Sequence, residues 1–181
     1  MDLGVISVRY ARALLKSAVQ EKLEDQVYQD MQTLTASYIQ VPELRTTIDN
    51  PMLQKDRKMT VLKTATGEDP TALTTRFFQF VLDEGREEIL QFMATSFITL
   101  YRRQKNITRG KLTTATAVSS ETEEKMKQMV ESMTQGTVEF QTEVNPDIIG
   151  GFILEYDTYR MDASVKSKLN NILNTLKKNS H

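Results

Sequence analysis

The stretch Ser7–Gln20, S-V-R-Y-A-R-A-L-L-K-S-A-V-Q, constrains the fold more than any other. Its charges form one narrow stripe, Arg9, Arg12 and Lys16, continued by Gln20 at steps of three and four. One apolar line runs Ile6, Tyr10, Ala13, Leu14, and a second runs Val8, Ala11, Leu15, Ala18, Val19. A helix resting on one core needs an apolar arc of roughly 100°. This arc is wider. Either the helix is central in a bundle, or one arc meets its own core and the other meets a foreign helix.

The chain has 181 residues, enough for one large domain or two small ones. With 26% charged and 39% apolar residues it has the composition of an ordinary globular protein. A net charge of −1 argues against a dedicated nucleic-acid binder, whose affinity comes largely from phosphate neutralisation. There is no cysteine, which excludes disulfides and thiolate chemistry and suits a reducing compartment. The single histidine, His181, is the last residue, where no metal or catalytic geometry can be held. No run reaches the roughly 20 apolar residues that span a bilayer. The amino terminus lacks a signal peptide's pattern, and Asp2 does not suit a transit peptide. The expectation is a cytoplasmic protein that meets a membrane only through a partner.

Along the chain, Leu23, Val27, Met31, Leu34 and Tyr38 predict a second helix, 23–40. Pro42 opens a short third one, closed by Asn50-Pro51. A fourth runs 55–66 and stops at Gly67. Asp69-Pro70 predicts the start of a fifth, which Gly85 ends. That fifth helix carries Leu73, Phe77, Phe80 and Val81 on one stripe, with Phe78 and Leu82 on another. Like the first, it is too apolar for one interface. Deep burial and a shared docking surface are the two readings. A sixth helix, 87–104, ends in Arg102, Arg103 and Lys105, which favour the negative end of its dipole.

The period then changes from 3.6 to 2. Lys111–Val118 alternates as a strand, with Leu112, Thr114, Thr116 and Val118 on one side. Residues 106–110 read as a linker. Ser120-x-x-Glu123 reads as a capping box, followed by Met126, Met129, Val130 and Met133 at helical spacing. Such a methionine stripe fills a core or lines an adaptable groove. Val138–Val144 alternates again, Phe152–Asp157 is a third strand with a short extension at Tyr159–Met161, and Asp162 or Ser164 caps the last helix. The predicted fold class is α+β in two domains. Residues 1–105 form a six-helix bundle, 106–110 link, and 111–181 form a small βαββα unit.

No chemistry-bearing motif emerges. Gly110-Lys111 lacks the upstream glycine of a phosphate loop, and Gly150-Gly151 lacks dinucleotide-binding spacing. Adjacent glycines before a strand instead mark a bulge or a close backbone approach. Glu121, Glu123 and Glu124, like Glu84, Glu87 and Glu88, sit at helix ends with no histidine to complete a metal site. No serine has a histidine to activate it. Capping accounts for Asp162 and Ser164. Neither a catalytic site, a cofactor site nor a metal site is expected, so a binding or structural protein is.

Arg9-Tyr10-Ala11-x-Ala13-Leu14, followed by Ala18, resembles the opening signature of the delta subunit of bacterial F-type ATP synthase, whose mitochondrial counterpart is the oligomycin-sensitivity conferring protein. Asn50-Pro51, Gly85-Arg86, Gly150-Gly151-Phe152 and Asp162-x-Ser164 with Leu169 agree in order and spacing. The likeness covers essentially the whole chain. It departs at Tyr156-Asp157-Thr158-Tyr159, where the family often has a glycine turn. The resemblance implies a non-catalytic stator on the cytoplasmic face of a bacterial inner membrane, needed to couple proton flow to ATP synthesis. The amino-terminal domain would grip alpha-subunit amino-terminal helices, and the carboxy-terminal domain the b-subunit carboxy-terminal helices. Carried over by position, the alpha-docking surface comprises Tyr10, Ala13, Arg76 and Phe80, to which spacing adds Leu14 and Phe77. Gly150, Gly151, Asp162 and Ser164 are implied as structural motif residues.

The competing reading is an RNA-binding protein. Phe140, Phe152 and Tyr156 could stack bases, and Arg102, Arg103, Lys105, Arg109 and Lys111 could track phosphates.

Overall fold

Helical periodicity in the first half becomes helices in the computed structural model, which describes residues 3–179 other than 68, 135 and 157. They are α1 (Leu3–Glu21), α2 (Glu24–Gln40), α3 (Glu43–Asp49), α4 (Lys55–Thr66) and α5 (Ala72–Asp83). After a 3-10 turn at Glu87–Ile89 comes α6 (Leu90–Lys105). Then follow β1 (Ile107–Thr114), α7 (Ser120–Thr134), β2 (Thr137–Val144), a 3-10 turn at Pro146–Ile148, β3 (Phe152–Tyr156), β4 (Tyr159–Asp162) and α8 (Val165–Asn179). The architecture is α+β, helix-rich with one small mixed sheet. The chain divides into two compact units, Met1–Gln104 and Lys105–His181. His181 and Asp157, both singled out by sequence, lie outside the described residues.

In the first unit the core is built from Met31 and Leu34 of α2, Leu62 of α4, Phe78 and Leu82 of α5, and Leu90, Met93 and Phe97 of α6, all fully buried. Cutting back a buried phenylalanine such as Phe78 costs about 3–5 kcal/mol. Helix α1 adds Ala11 and Ala18, also fully buried, whose small side chains allow close approach. Val8 and Val19, expected on that inner line, remain exposed, because they sit at its margins.

Two caps differ from expectation. Helix α5 begins at Ala72, not Pro70. Its cap is Thr71, whose hydroxyl accepts the Thr74 N–H at 3.1 Å. Asp30 of α2 fixes that hydroxyl from the other side, at 2.9 Å. Helix α7 is capped by Ser119 rather than by a box starting at Ser120, since the Thr122 N–H donates to the Ser119 hydroxyl.

The sheet order is β2-β1-β3-β4, with β1 parallel to β2 and the other pairs antiparallel. The predicted linker 106–110 is mostly strand. Pairing from Ile107↔Thr137 onward satisfies its backbone, and β1 ends at Thr114 rather than Val118. Gly110 serves packing there, since a Cβ would stand 2.9 Å from the Phe140 ring. The short extension is a full fourth strand, so the unit is βαβββα rather than βαββα. Its β4 pairs residue by residue with β3. Leu112, Val130, Val138 and Leu154 form the core between α7 and the sheet, flanked by Met126 and Met129. The methionine stripe is thus core, apart from the exposed Met133.

Helix α8 does not join that core. Val165, Leu169, Ile172, Leu173 and Leu176 stay between 37% and 59% exposed. The helix is tied on at its start. Ser164 caps it by accepting the Ser167 N–H, and Asp162 accepts from the Ser164 N–H and the Ser167 hydroxyl. The Val165 N–H donates to the Gly150 carbonyl at 2.9 Å. Gly151 has φ +74°, and a Cβ on it would collide with the Ala163 carbonyl oxygen. The glycine pair is a close backbone approach.

Candidate functional site

Two rows of four residues face each other in the first unit. Helix α1 contributes Tyr10, Ala13, Leu14 and Ser17, and α5 contributes Leu73, Arg76, Phe77 and Phe80. Each row follows i, i+3, i+4, i+7, the spacing that puts four side chains on one helix face. Between them lies an open groove of about 420 Å³, whose α1 side also carries Arg9.

The helix ends set the geometry. Helix α1 stops in a Schellman turn. Lys22 takes φ +58°, and the Leu23 N–H reaches the Ala18 carbonyl at 2.9 Å. Helix α5 stops in another, with Gly85 at φ +60° and the Arg86 N–H on the Val81 carbonyl at 3.0 Å. The two helices run in opposite directions. Tyr10 lies opposite Phe80, with ring centroids 5.7 Å apart and planes 28° apart. Further along, Arg76 Nη2 donates to both Glu21 carboxylate oxygens, at 2.6 and 2.8 Å. Arg86 places its guanidinium 5.8 Å above the Tyr10 ring.

The floor is apolar and closed, for Leu14, Leu73 and Phe77 are all buried. The upper walls are not. Phe80 is 51% exposed, Ala13 is exposed and Tyr10 half-buried. A concave apolar floor, small residues on one wall and an aromatic pair at one end suit an inserted helix face.

The structure therefore brings all six expected docking residues, Tyr10, Ala13, Leu14, Arg76, Phe77 and Phe80, onto one groove. Ser17, Arg9 and Leu73 also line it and were not among those six. The i, i+7 extension of each row carried the signal for Ser17 and Leu73. Nothing local in sequence carried the pairing of Glu21 with Arg76, or of Arg86 with Tyr10.

Five residues of the RNA reading are engaged elsewhere. Phe140, Phe152 and Tyr156 pack on the core between α7 and the sheet. Lys111 pairs with Glu143 at 2.5 Å, and Arg102 Nε donates to the Tyr28 hydroxyl at 2.8 Å. Among the described residues, no group of three or more His, Asp or Glu could hold a metal ion. Asp162 and Ser164 act as caps, as described above.

Comparison with known proteins follows the same line. A family model described as ATP synthase delta (OSCP) subunit matches residues 6–176. ATP synthase subunit delta of Phocaeicola vulgatus is 44% identical over 173 residues, covering 95% of this chain and 94% of the relative. The protein of that name from Parabacteroides distasonis is 39% identical, covering 99% of both. A chain in the cryo-EM structure of the Toxoplasma gondii mitochondrial ATP synthase hexamer has a similar fold. Its TM-score is 0.65 at 21% identity, covering 94% of this chain and 96% of that one.

Proposed function

We infer the working contacts of this chain from one premise: it belongs to the ATP synthase delta (OSCP) subunit family. It is a structural subunit of ATP synthase, a stator component of the peripheral stalk, and not itself catalytic. It is a peripheral part of a membrane-bound complex, and among the described residues no helix is long and apolar enough to cross a membrane.

The first unit grips an alpha-subunit amino-terminal helix in the groove between α1 and α5. One observation carries this reading: Tyr10, Ala13 and Phe80 line an open furrow over a closed apolar floor. Ala13 and Ser17 let a foreign helix come close, while Tyr10 and Phe80 act as aromatic anchors. Truncating such an anchor typically costs about 2 kcal/mol or more of binding. The second unit holds the b-subunit carboxy-terminal helices on the cytoplasmic face. The uncovered apolar row of α8 supports that assignment. Joining head to stalk resists the torque of the rotor, so that proton flow is coupled to ATP synthesis.

Titration of the full chain with an alpha amino-terminal peptide is the test. Phe80→Ala lowers affinity about thirtyfold, by the same anchor energy, and leaves the helical circular dichroism unchanged. Full-affinity binding by that variant rejects the groove as the docking surface.

A further inference from the structure

The two rims of the groove differ in charge. On the α5 side the charges are matched within the fold. Arg76 is bound by Glu21, Asp83 lies 3.6 Å from Lys55, and the Gln79 amide donates to Asp83 at 3.0 Å. The α1 side is not matched. Arg9, Arg12 and Lys16 are all exposed. Among the described residues no carboxylate lies within ion-pair distance of any of the three. Helix α1 has no acidic residue from Leu3 to Gln20 that could compensate them.

Their direction follows from helix geometry. At about 100° per residue, Arg9, Lys16 and Arg12 span a sector of about 60°. That sector adjoins Ala13 on the groove face and points away from the buried Ala11 and Ala18. Arg9 lines the furrow, and Lys16 and Arg12 continue a cationic rail from it around the outer side of α1, about 60° and 100° from Ala13. At the aromatic end, Arg86 adds a fourth positive charge over Tyr10. Three uncompensated like charges within two turns repel one another. An acidic ligand edge relieves that repulsion, whereas a basic one worsens it.

We propose that the groove selects an amphipathic helix whose flank toward α1 is acidic, with Arg9, Arg12 and Lys16 reading that flank. This rests on the docking reading above. The apolar floor supplies the contact area, and the rail decides which way round the guest helix lies. Reversing the guest would bring its other flank to the cations and leave its acids against the already matched Arg76–Glu21 edge. Rim charges of this kind govern approach rate, salt dependence and the rejection of wrong partners more than total affinity.

The probe is a pair of synthetic helical peptides sharing one Leu/Ile face and differing only in Glu or Lys along one flank. Binding to the full chain is measured by calorimetry at low and at physiological salt. The wild-type chain is expected to favour the Glu peptide about tenfold at low salt, a few weak exposed pairs acting together. The ratio shrinks as salt rises. Combining Arg9→Glu, Arg12→Glu and Lys16→Glu reverses the preference. Phe80→Ala weakens both peptides alike. Equal affinity of the wild-type chain for both peptides, with Phe80→Ala still weakening them, overturns the rail and spares the groove. That comparison needs no variant of the rail to fold. If Phe80→Ala changes neither affinity, the groove reading falls and the rail with it. Capture of the wild-type chain by phosphatidylglycerol vesicles, lost in the triple variant, without any preference for the Glu peptide, overturns it in favour of a lipid surface.

Discussion

Asp30 Oδ2 accepts a hydrogen bond from the Thr74 hydroxyl at 2.6 Å, tying α2 to the first turn of α5. The same oxygen accepts from the Thr71 N–H and the Thr71 hydroxyl, at 3.0 and 2.9 Å. Thr74 is fully buried. One carboxylate therefore holds the start of the helix that carries Leu73, Arg76, Phe77 and Phe80.

Asp30→Ala leaves the buried Thr74 hydroxyl with only the Thr71 hydroxyl, 2.9 Å away, and loosens the Thr71 cap. Hydrogen bonds to a charged group are worth about 1.5–3 kcal/mol. Urea denaturation is expected to show a loss of about 2 kcal/mol. Peptide binding at the groove falls as well, although Asp30 does not line it.

Lys58 is a buried cation of the first unit. Its side chain is 3% exposed and its ammonium lies 2.7 Å from Glu87 Oε1. Burial alone would raise the Glu87 carboxyl. The Lys58 hydrogen bond and charge, with a backbone bond, outweigh it and hold the group below its ordinary 4.5. Lys58→Met leaves that carboxylate without its cation and costs about 3 kcal/mol at neutral pH. The pH profile flattens with it. In the wild-type chain the Glu87 contribution is present above pH 4.5 and is lost as pH falls through the lowered folded value. In the variant only the backbone bond and Lys55 oppose burial, so less stability is lost on acidification. Asp49 nearby, pushed up chiefly by burial, slopes the other way, and because Lys58 also lowers it the difference between the two denaturation profiles carries both carboxylates.

Asp162 gives a third expectation, at the start of α8. The Ser164 side chain first, then the Ser167 side chain and the Ser164 N–H, pull its carboxyl down to about 2 from 3.8. Because the folded value is the lower one, its contribution is complete above pH 3.8 and disappears as pH falls toward about 2. Carboxyl NMR should show the midpoint near 2 in the wild-type chain. Ser164→Ala and Ser167→Ala should each move it up toward the ordinary value.

The groove was legible in sequence because its residues repeat. Tyr10, Ala13 and Leu14 on one helix and Phe77 and Phe80 on the other lie on apolar arcs too wide for a single core, whereas Arg76 was reached only through the family resemblance. What closes the site was not legible, because it depends on contacts between distant segments. Asp30 reaches Thr71 across 41 residues, which moved the α5 cap away from Asp69. Glu21 reaches Arg76 across 55. In the second unit, Leu112 and Val138 revealed their strands by alternation. Four exposed residues at β4, Tyr159–Asp162, carried no alternation of burial, so only pairing with β3 identifies them as a strand. The stretch 106–110 looked like a linker for its glycine and polarity. Gly110 is there because the Phe140 ring leaves no room for a Cβ. The apolar period of α8 was plain, but an intact stripe does not say whether the same chain covers it.

Methyl NMR on the full chain, titrated with the amino-terminal peptide of its alpha subunit, decides whether the groove is the docking site. The Ala13 methyl stands in the open furrow, and those of Leu14 and Leu73 form its floor. Saturable shifts at these three, with Ile172 and Leu176 of α8 unmoved, are the expected result. Saturable binding that leaves Ala13, Leu14 and Leu73 unshifted while other methyls move contradicts it.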